Sequence, residues 1–288
     1  MLNQKNNDNF LGGPQNFEES DIVIFGAPFD STTSYRPGTR FGPKSMRSEF
    51  FGIETYSPYQ DLDLADFTIY DAGDLDLCFG DCSYSLKQIE DMASEILAEG
   101  KLPFLLGGEH LVTLGNVRAS AARYPDLHIL HLDAHADLRD DYLGMQLSHA
   151  CVIRRCHEIL GDGRIFQFGI RSGDKSEFEF AKRHTYMNKF NLEGLENTLE
   201  GLRGKPVYLT IDLDILDPSV FPGTGTPEPG GLSFHMLLEG IMKITESMNI
   251  VACDLNELSP TYDSSGISTM TACKLLREIL LSLSAKQL

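Results

Sequence analysis

The chain has 288 residues, of which 42% are hydrophobic and 23% are charged, and these proportions are typical of a globular protein with a sizeable core. They exclude intrinsic disorder and low complexity over most of the length. Asp and Glu number 42 against 24 Lys and Arg, which gives a net charge of −18. Because nucleic acids and anionic membranes attract clustered cationic side chains, we expect neither as a partner. A metal ion or a small cationic substrate suits this charge better.

We expect neither a targeting segment nor a membrane span. No stretch has the length and hydrophobicity of a signal peptide or a membrane span, so we expect a soluble, cytoplasmic protein. The six cysteines include no Cys-x-x-Cys pair, which predicts reduced, partly buried thiols rather than a disulfide framework or a zinc cluster.

Short apolar runs alternate with longer segments of helical periodicity along the chain. Nearly continuous hydrophobicity is typical of a strand covered on both faces, and such runs occupy 22–25, 67–70, 102–106, 128–132, 165–168, 207–211 and 250–252. Helices are predicted at 86–97, 192–202, 234–248 and 269–283. The alternation predicts an α/β fold with a parallel sheet between helices and ligands at the carboxyl ends of the strands. We expect one domain over residues 1–288, of which about 1–20 form an N-terminal extension.

One of these runs leads into a group of side chains that can bind metal. Residues 129–137 read ILHLDAHAD, so Asp133, His135 and Asp137 follow a strand at two-residue spacing. Because side chains two apart in extended backbone point to the same side, these three can converge on one site. A polar loop facing water explains any one of them, but it explains all three less well.

Two other runs end in similar side chains. Asp212 and Asp214 share one side after the run at 207–211, where a carboxylate is costly unless it is paired or bound to a metal. His110 follows the run at 102–106 after two glycines that allow a tight turn, although by itself this pattern favours a structural histidine.

Together the three segments offer two imidazoles, four carboxylates and no thiolate. This donor set suits Mn²⁺ better than structural zinc, although Fe²⁺, Co²⁺ or Zn²⁺ are also compatible. Six side chains exceed the needs of one catalytic ion. They predict two ions joined by bridging carboxylates, typically about 3.5–4 Å apart.

The same segments, in the same order, resemble the signatures of the ureohydrolases, the family of arginases and agmatinases. The matching sequences are LGGEH at 106–110, LDAHAD at 132–137 and TIDLD at 210–214, and the similarity extends over nearly the whole chain. Flanking stretches such as SYRPGTRFGP at 34–43 are more similar to bacterial agmatinases than to arginases. The resemblance implies an arginase-like, three-layer αβα sandwich with a mostly parallel sheet of roughly eight strands.

The resemblance also implies a ligand set and a mechanism. One Mn²⁺ would be held by His110, Asp133, Asp137 and Asp212, and the other by Asp133, His135, Asp212 and Asp214. Asp133 and Asp212 would bridge the two ions of each subunit. Family members attack the guanidinium carbon with a metal-bridging hydroxide and release urea, and Asp137 would move a proton toward the leaving amine. The family suggests a homotrimer or homohexamer.

Two further residues match family positions. Glu257, after the last predicted strand, corresponds to the glutamate that binds the guanidinium, and a carboxylate can accept parallel hydrogen bonds from that group. His149, in LSHA at 147–150, corresponds to a histidine that faces the substrate and shuttles protons. A surface glutamate and a core histidine are the alternative interpretations. His131 lies at a position that the family leaves variable, and we interpret it as structural.

The choice of substrate depends on residues 138–148, LRDDYLGMQLS. This segment lacks the Asn, Ser and Thr residues with which arginases bind the carboxylate of arginine. Asp140 and Asp141 would repel such a group, whereas Arg139 could bind it. Simple solvation explains this charged loop as well as a role in binding does. Overall resemblance therefore favours agmatine, which would be hydrolysed to putrescine and urea.

Three alternatives remain open. The first is another amidinohydrolase, such as a guanidinobutyrase or an arginase. The second is a non-catalytic relative that binds polyamine-pathway ligands or a partner protein, and the complete set of candidate ligands counts against it. The third is a deacetylase-like enzyme of the same fold, which the two intact Asp sets disfavour because that relative keeps one metal.

Overall fold

A parallel β-sheet lies at the centre of the computed structural model, which describes Leu11 and residues 15–286. The strands in chain order are β1 (Ile22–Ala27), β2 (Tyr56–Ser57), β3 (Leu62–Asp63), β4 (Ile69–Asp74), β5 (Leu102–Gly107), β6 (His128–Leu132), β7 (Ile165–Ile170), β8 (Tyr186–Lys189), β9 (Pro206–Asp212) and β10 (Asn249–Asn256). Within the described residues the main sheet has the order β4-β1-β5-β10-β9-β6-β7-β8, and all its neighbours are parallel. Strands β2 and β3 form a separate antiparallel pair.

Helices cover both faces of this sheet. They are α1 (Gly42–Glu49), α2 (Cys82–Ala98), α3 (Thr113–Arg123), α4 (Val152–Leu160), α5 (Lys175–His184), α6 (Leu195–Gly201), α7 (Phe234–Ser247) and α8 (Ile267–Ala285). One hydrophobic core joins the sheet to α1, α6, α7 and α8, and a second joins its other face to α2, α3, α4 and α5. The predicted three-layer αβα fold with a parallel sheet of about eight strands is therefore confirmed.

The apolar runs predicted the strands better than periodicity predicted the helices. Each of the seven runs corresponds to a strand, whereas β8 was not predicted because its sequence, YMNK, is half polar at the sheet edge. Helices α1, α3, α4 and α5 were not predicted either. In α3, residues such as Gly115 and Asn116 are poor helix formers, and Gly115 packs closely on Ile89 of α2. The helix predicted at 192–202 begins only at Leu195, after Gly194 adopts a φ of 80°.

The order of the strands places the predicted site residues side by side. Four adjacent central strands, β5, β10, β9 and β6, are the ones that the candidate ligands and Glu257 follow. Because these strands are parallel, their carboxyl ends meet at one edge, with Asn256 paired to Asp212 and Leu132 to Ile211.

Three further expectations concern the N-terminal extension, membrane spans and the cysteines. The predicted N-terminal extension, residues 1–20, lies mostly outside the described residues. Within the described ranges, none of the helices combines the length and the apolar character needed to cross a bilayer. All six cysteines are free thiols, of which four are buried.

Candidate metal centre and active site

Three of the predicted ligands surround one nitrogen of a fourth, His110, at the carboxyl edge of the sheet. His110 Nδ1 lies 3.1 Å from Asp133 Oδ2, 3.3 Å from Asp137 Oδ2 and 3.4 Å from Asp212 Oδ2. The distances suit ion pairs, but among the described residues this buried nitrogen has no hydrogen-bond partner. An imidazole nitrogen left without a hydrogen bond among carboxylates has the surroundings of a metal ligand.

The remaining two predicted ligands form a second group beside the first. His135 Nδ1 lies 3.0 Å from Asp214 Oδ2 and 3.5 Å from Asp133 Oδ1. The two oxygens of Asp133 therefore face different histidines. Asp212 directs Oδ2 toward His110, while its Oδ1 accepts a hydrogen bond from the backbone N–H of Asp214 at 2.9 Å. The six side chains thus form two adjacent groups that share Asp133.

The segment that carries Asp133, His135 and Asp137 is a loop rather than the end of a strand. Strand β6 ends at Leu132, and the loop is held by an isolated bridge between His135 and Ser172. Asp137 adopts a φ of 53°, which turns its side chain back toward the first group. The two-residue spacing predicted the right neighbours, although the extended backbone assumed for it stops at Leu132.

The electrostatics of this cluster favour a bound cation. Burial raises the pKa of Asp212 well above its usual value, and the nearby charges of Asp214 and Asp133 raise it further. For His110, burial alone would lower the pKa, but three surrounding carboxylates outweigh it and raise the pKa well above its usual value. Divalent cations would neutralise this negative charge, which is costly because it is buried away from water. The imidazole and carboxylate donors fit such ions.

A buried polar chain supports His110 from behind. Its second nitrogen, Nε2, lies 2.8 Å from Thr210 Oγ1 on β9. Thr210 contacts Asp254 on β10, whose Oδ2 also accepts hydrogen bonds from Tyr208 Oη at 2.5 Å and Thr113 Oγ1 at 2.8 Å. Such contacts to the far side of a ligating histidine fix its ring and its tautomer.

His131 supports Asp133 in a similar way, which sequence reasoning missed. Its Nε2 lies 2.7 Å from Asp133 Oδ2, and its Nδ1 lies 3.0 Å from Gln167 Nε2. Because Gln167 Nε2 also donates to the Ala136 carbonyl oxygen at 2.8 Å, the amide nitrogen is the group that faces His131. His131 Nδ1 is then an acceptor, and Nε2–H donates to Asp133. The two-residue spacing from Asp133 was the only signal of this contact in the sequence.

Glu257 lies beside the first group of ligands. It follows β10 with a φ of 66°, and its Oε1 accepts a hydrogen bond from the backbone N–H of His110 at 2.8 Å. Burial raises the pKa of Glu257 well above its usual value, and the charges of Glu109 and Asp214 add to the effect. The site therefore also favours a cationic group next to this carboxylate.

His149 begins a short 3-10 turn, residues His149–Cys151, and is half-buried. Its backbone N–H donates to Thr32 Oγ1 at 3.0 Å, its Nδ1 lies 3.3 Å from the same oxygen, and Thr32 donates in turn to Glu109 Oε1 at 2.6 Å. The ring meets Tyr142 edge to face, with centroids 5.8 Å apart. Burial lowers the pKa of His149, which keeps the imidazole neutral at neutral pH.

A cavity of about 180 Å³ connects most of these residues. Six of the eight predicted site residues line it: His110, His135, Asp137, His149, Asp212 and Glu257. Asp133 and Asp214 are buried beneath this lining. The lining also includes Ser34, Arg139, Tyr142, Ser172, Glu177 and Thr226.

Arg139 lies in this lining but is already paired with carboxylates. Its Nη1 lies 2.5 Å from Asp174 Oδ2, its Nε lies 3.4 Å from Glu177 Oε2, and its guanidinium covers the ring of Tyr142. These contacts neutralise the charge of Arg139, which the sequence suggested as a binder of a substrate carboxylate.

The two acidic neighbours of Arg139 do not line the cavity described above. Asp140 pairs with Arg155 at 3.1 Å, and Asp141 accepts a hydrogen bond from the N–H of Gly144 at 3.2 Å. Their predicted repulsion of a substrate carboxylate is therefore not supported by a direct contact with the cavity.

Comparisons with known proteins extend the resemblance from motifs to the whole chain. The arginase family profile matches residues 20–282. The chain is 47% identical to an agmatinase of Bacillus subtilis (strain 168) over 275 residues, or 94% of this chain and 95% of the relative. It is 49% identical to an agmatinase of Bacillus anthracis over 276 residues, with the same coverage. A solved structure from Clostridium difficile, provisionally assigned as an agmatinase, matches with a TM-score of 0.92 at 52% identity, covering 95% of this chain and all of the other. The chain belongs to the arginase family.

Proposed function

We propose that this protein hydrolyses agmatine to putrescine and urea with two Mn²⁺ ions per subunit. The observation that carries the proposal is the convergence of two histidines and four aspartates beside Glu257 in one cavity. The similarity to agmatinases of two Bacillus species, at 47% and 49% identity over almost the whole chain, supports the choice of substrate.

The two groups of ligands would hold the ions. His110, Asp133, Asp137 and Asp212 would bind one, and Asp133, His135, Asp212 and Asp214 the other. When bound, two such cations lower the pKa of water between them and so supply a nucleophile at neutral pH. Imidazole and carboxylate donors without a thiolate suit Mn²⁺. Asp133 can serve both ions because its two oxygens already face different histidines.

Glu257 would bind the guanidinium of the substrate. Its Oε1 is held by the N–H of His110, which fixes the carboxylate beside the metal ligands and leaves Oε2 to accept from the substrate. The ion pair with a planar guanidinium would orient the central carbon toward the carboxylates of the metal centre. The raised pKa of Glu257, caused first by its burial, is relieved when a cation binds beside it.

Asp137 and His149 would move the protons. Asp137 lines the cavity and would accept a proton from the nucleophile and pass it to the leaving amine. The hydroxyl of Thr32 donates its one hydrogen to Glu109 and can only accept from His149. His149 Nδ1 therefore carries the hydrogen that is donated to Thr32, and Nε2 carries the lone pair. A neutral His149 with an available Nε2 can accept a proton and exchange it with water.

The charge of the cavity favours an ammonium over a carboxylate at the far end of the substrate. Arg139 is balanced by Asp174 and Glu177, and so does not offer an unpaired cation to a carboxylate. Glu177 itself lines the cavity. Agmatine ends in an ammonium, whereas arginine adds a carboxylate and guanidinobutyrate ends in one, so agmatine suits this lining best.

A substrate panel tests the proposal. Urea release by the Mn²⁺-loaded enzyme would be measured with agmatine, arginine and 4-guanidinobutyrate, and again after chelation and after return of Mn²⁺. We expect the highest kcat/KM with agmatine, loss of activity on chelation and recovery with Mn²⁺. A preference for either other compound would identify another amidinohydrolase. Absence of urea from all three, with both ions bound, would identify a non-catalytic relative.

The proposal also includes the domain organisation, the oligomeric state and the location of the protein. We propose a single ureohydrolase domain that forms a homotrimer or homohexamer in the cytoplasm. The family membership supports the assembly, and light scattering of the purified protein would measure it. A monomer at micromolar concentration would contradict this part of the proposal.

A further inference from the structure

A second cluster of side chains that can bind metal lies at the opposite edge of the sheet. His157 in α4, Asp162 in the turn before β7 and His184 at the end of α5 come together near the amino ends of β7 and β8. His157 Nε2 and His184 Nδ1 each lie 2.7 Å from the same atom, Asp162 Oδ1. The three donor atoms lie within 4.8 Å of one another. We call these three residues the amino-edge cluster.

The backbone around the cluster holds it in place. Gly161 and Gly163, on either side of Asp162, have φ values of 83° and 71°, which side chains rarely tolerate. Gly161 N–H donates to the His157 carbonyl oxygen at 2.8 Å, and Gly163 N–H donates to that of His184 at 3.1 Å. The turn that presents the carboxylate is therefore tied to both histidine-bearing helices.

Phe180 fixes the orientation of both imidazole rings. The ring of His157 meets it edge to face at 5.0 Å, and the ring of His184 stacks on it at 4.2 Å. The Arg154 guanidinium also covers Phe180. Because their rings are packed, the two histidines direct their nitrogens at one point without further ordering.

We infer that the amino-edge cluster is a structural metal site for a divalent transition-metal ion such as Zn²⁺. Two imidazole nitrogens and one carboxylate oxygen are a donor set that this class of ion favours, and water completes the coordination. Ligand bonds of about 2.0–2.2 Å put donors about 3–3.5 Å apart, somewhat farther than the present 2.7 Å between each nitrogen and Asp162 Oδ1. A single cation can replace both N–H donors that now share Asp162 Oδ1. The net charge of −18 further favours cation binding.

Binding there would join the far ends of two helices that reach the candidate active site. Helix α4 directly follows the turn that carries His149, and α5 begins after Asp174, the partner of Arg139. An ion between His157 and His184 would tie these helices together and stabilise the folded chain by mass action. It would take no part in the chemistry.

Zinc binding to the Mn²⁺-loaded enzyme tests this inference. Wild type, His184→Ala and a control, His235→Ala, would be compared by equilibrium dialysis and by thermal unfolding with and without added Zn²⁺. His235 is an exposed histidine in α7, outside the amino-edge cluster. We expect wild type and the control to bind one more Zn²⁺ per subunit than His184→Ala, whose affinity for that ion falls at least about tenfold. Only wild type and the control should gain melting temperature from this ion.

The location of the ion gives the decisive readout. Zinc exchange into the active site affects all three proteins alike, so the difference between them reports the amino-edge cluster alone. In crystals grown with Zn²⁺, anomalous diffraction at the zinc edge should place an ion between His157 and His184. Unchanged urea release by His184→Ala would show that the variant is folded. Equal zinc binding by wild type and His184→Ala, or no ion between the two histidines, would overturn the inference.

Discussion

The two edges of the sheet carry similar residue types in opposite environments. At the carboxyl edge, the side chain of Asp212 is 4% exposed and lies near the carboxylates of Asp214 and Asp133. At the amino edge, the side chain of Asp162 is 66% exposed and meets two histidines. Burial and like charges raise the pKa of Asp212, whereas His157 and His184 lower the pKa of Asp162.

This difference changes what a cation does at each edge. Water stabilises the charge of Asp162, so the amino-edge cluster is stable with or without an ion. The carboxyl edge concentrates four aspartates away from water, where charge is costly unless it is compensated. Under the proposed function, metal binding would therefore be coupled to both structure and chemistry at the carboxyl edge. At the amino edge it adds stability only.

The largest expected effect comes from removing Asp133. Asp133→Ala should lose both ions and lower kcat/KM by more than the roughly 10–100-fold typical of changes around a metal site, because Asp133 faces both histidines. The matched control is Asp162→Ala at the other edge, which should keep both ions and full urea release. Metal analysis and steady-state kinetics check both variants. Two tightly bound ions in Asp133→Ala would show that the ligand assignment is wrong.

A smaller effect is expected when the charge of Glu257 is removed but its shape is kept. Glu257→Gln can still accept from the N–H of His110, so the loss should be confined to the substrate. A hydrogen bond to a charged group contributes about 1.5–3 kcal/mol, which corresponds to a fall in kcat/KM of at least roughly tenfold. Metal content should stay at two ions. Wild-type kcat/KM for agmatine would remove the guanidinium assignment.

His149→Asn should affect turnover more than binding. The side chain of Asn keeps hydrogen-bonding capacity near Thr32 but cannot carry a proton, so kcat should fall with a smaller change in KM. Small imidazole buffers should partly restore kcat if proton transfer is what was lost. A variant that is free of metal would show instead that His149 is a ligand.

The grouping of residues at the carboxyl edge could be predicted because the sequence patterns that indicate it are local. Each candidate ligand lies at the end of a buried strand or within five residues after it, and the parallel order of β5, β10, β9 and β6 brings those strand ends together. Continuous hydrophobicity marks such strands, and their ends carry function in α/β folds. The fold class and the grouping of His110 with the aspartates could therefore be predicted without a structure.

The amino-edge cluster and the protonation of His131 depend on tertiary contacts that no local pattern carries. His157 and His184 lie in α4 and α5, two helices that the sequence patterns did not predict, and they are brought together by packing on Phe180 and by their shared contact with Asp162. The proton on His131 is set by Gln167, on the neighbouring strand. Neither relation follows from spacing along the chain.

The smallest expected effect tests whether the two edges are independent. Asp162→Asn, studied without added zinc, removes the charge of a side chain that is mostly exposed to water, so urea release should equal that of wild type. Its melting temperature should fall slightly at low ionic strength, and the difference should shrink in about 1 M salt, where the screening length is only about 3 Å. The buried centre is screened far less, so the loss of activity in Asp133→Ala should not depend on salt.

If Asp162→Asn instead lowered kcat/KM as much as Glu257→Gln does, α4 and α5 would have to transmit the change to His149 and Arg139. The contrast between an edge that needs its cation and an edge that only accepts one would then fail.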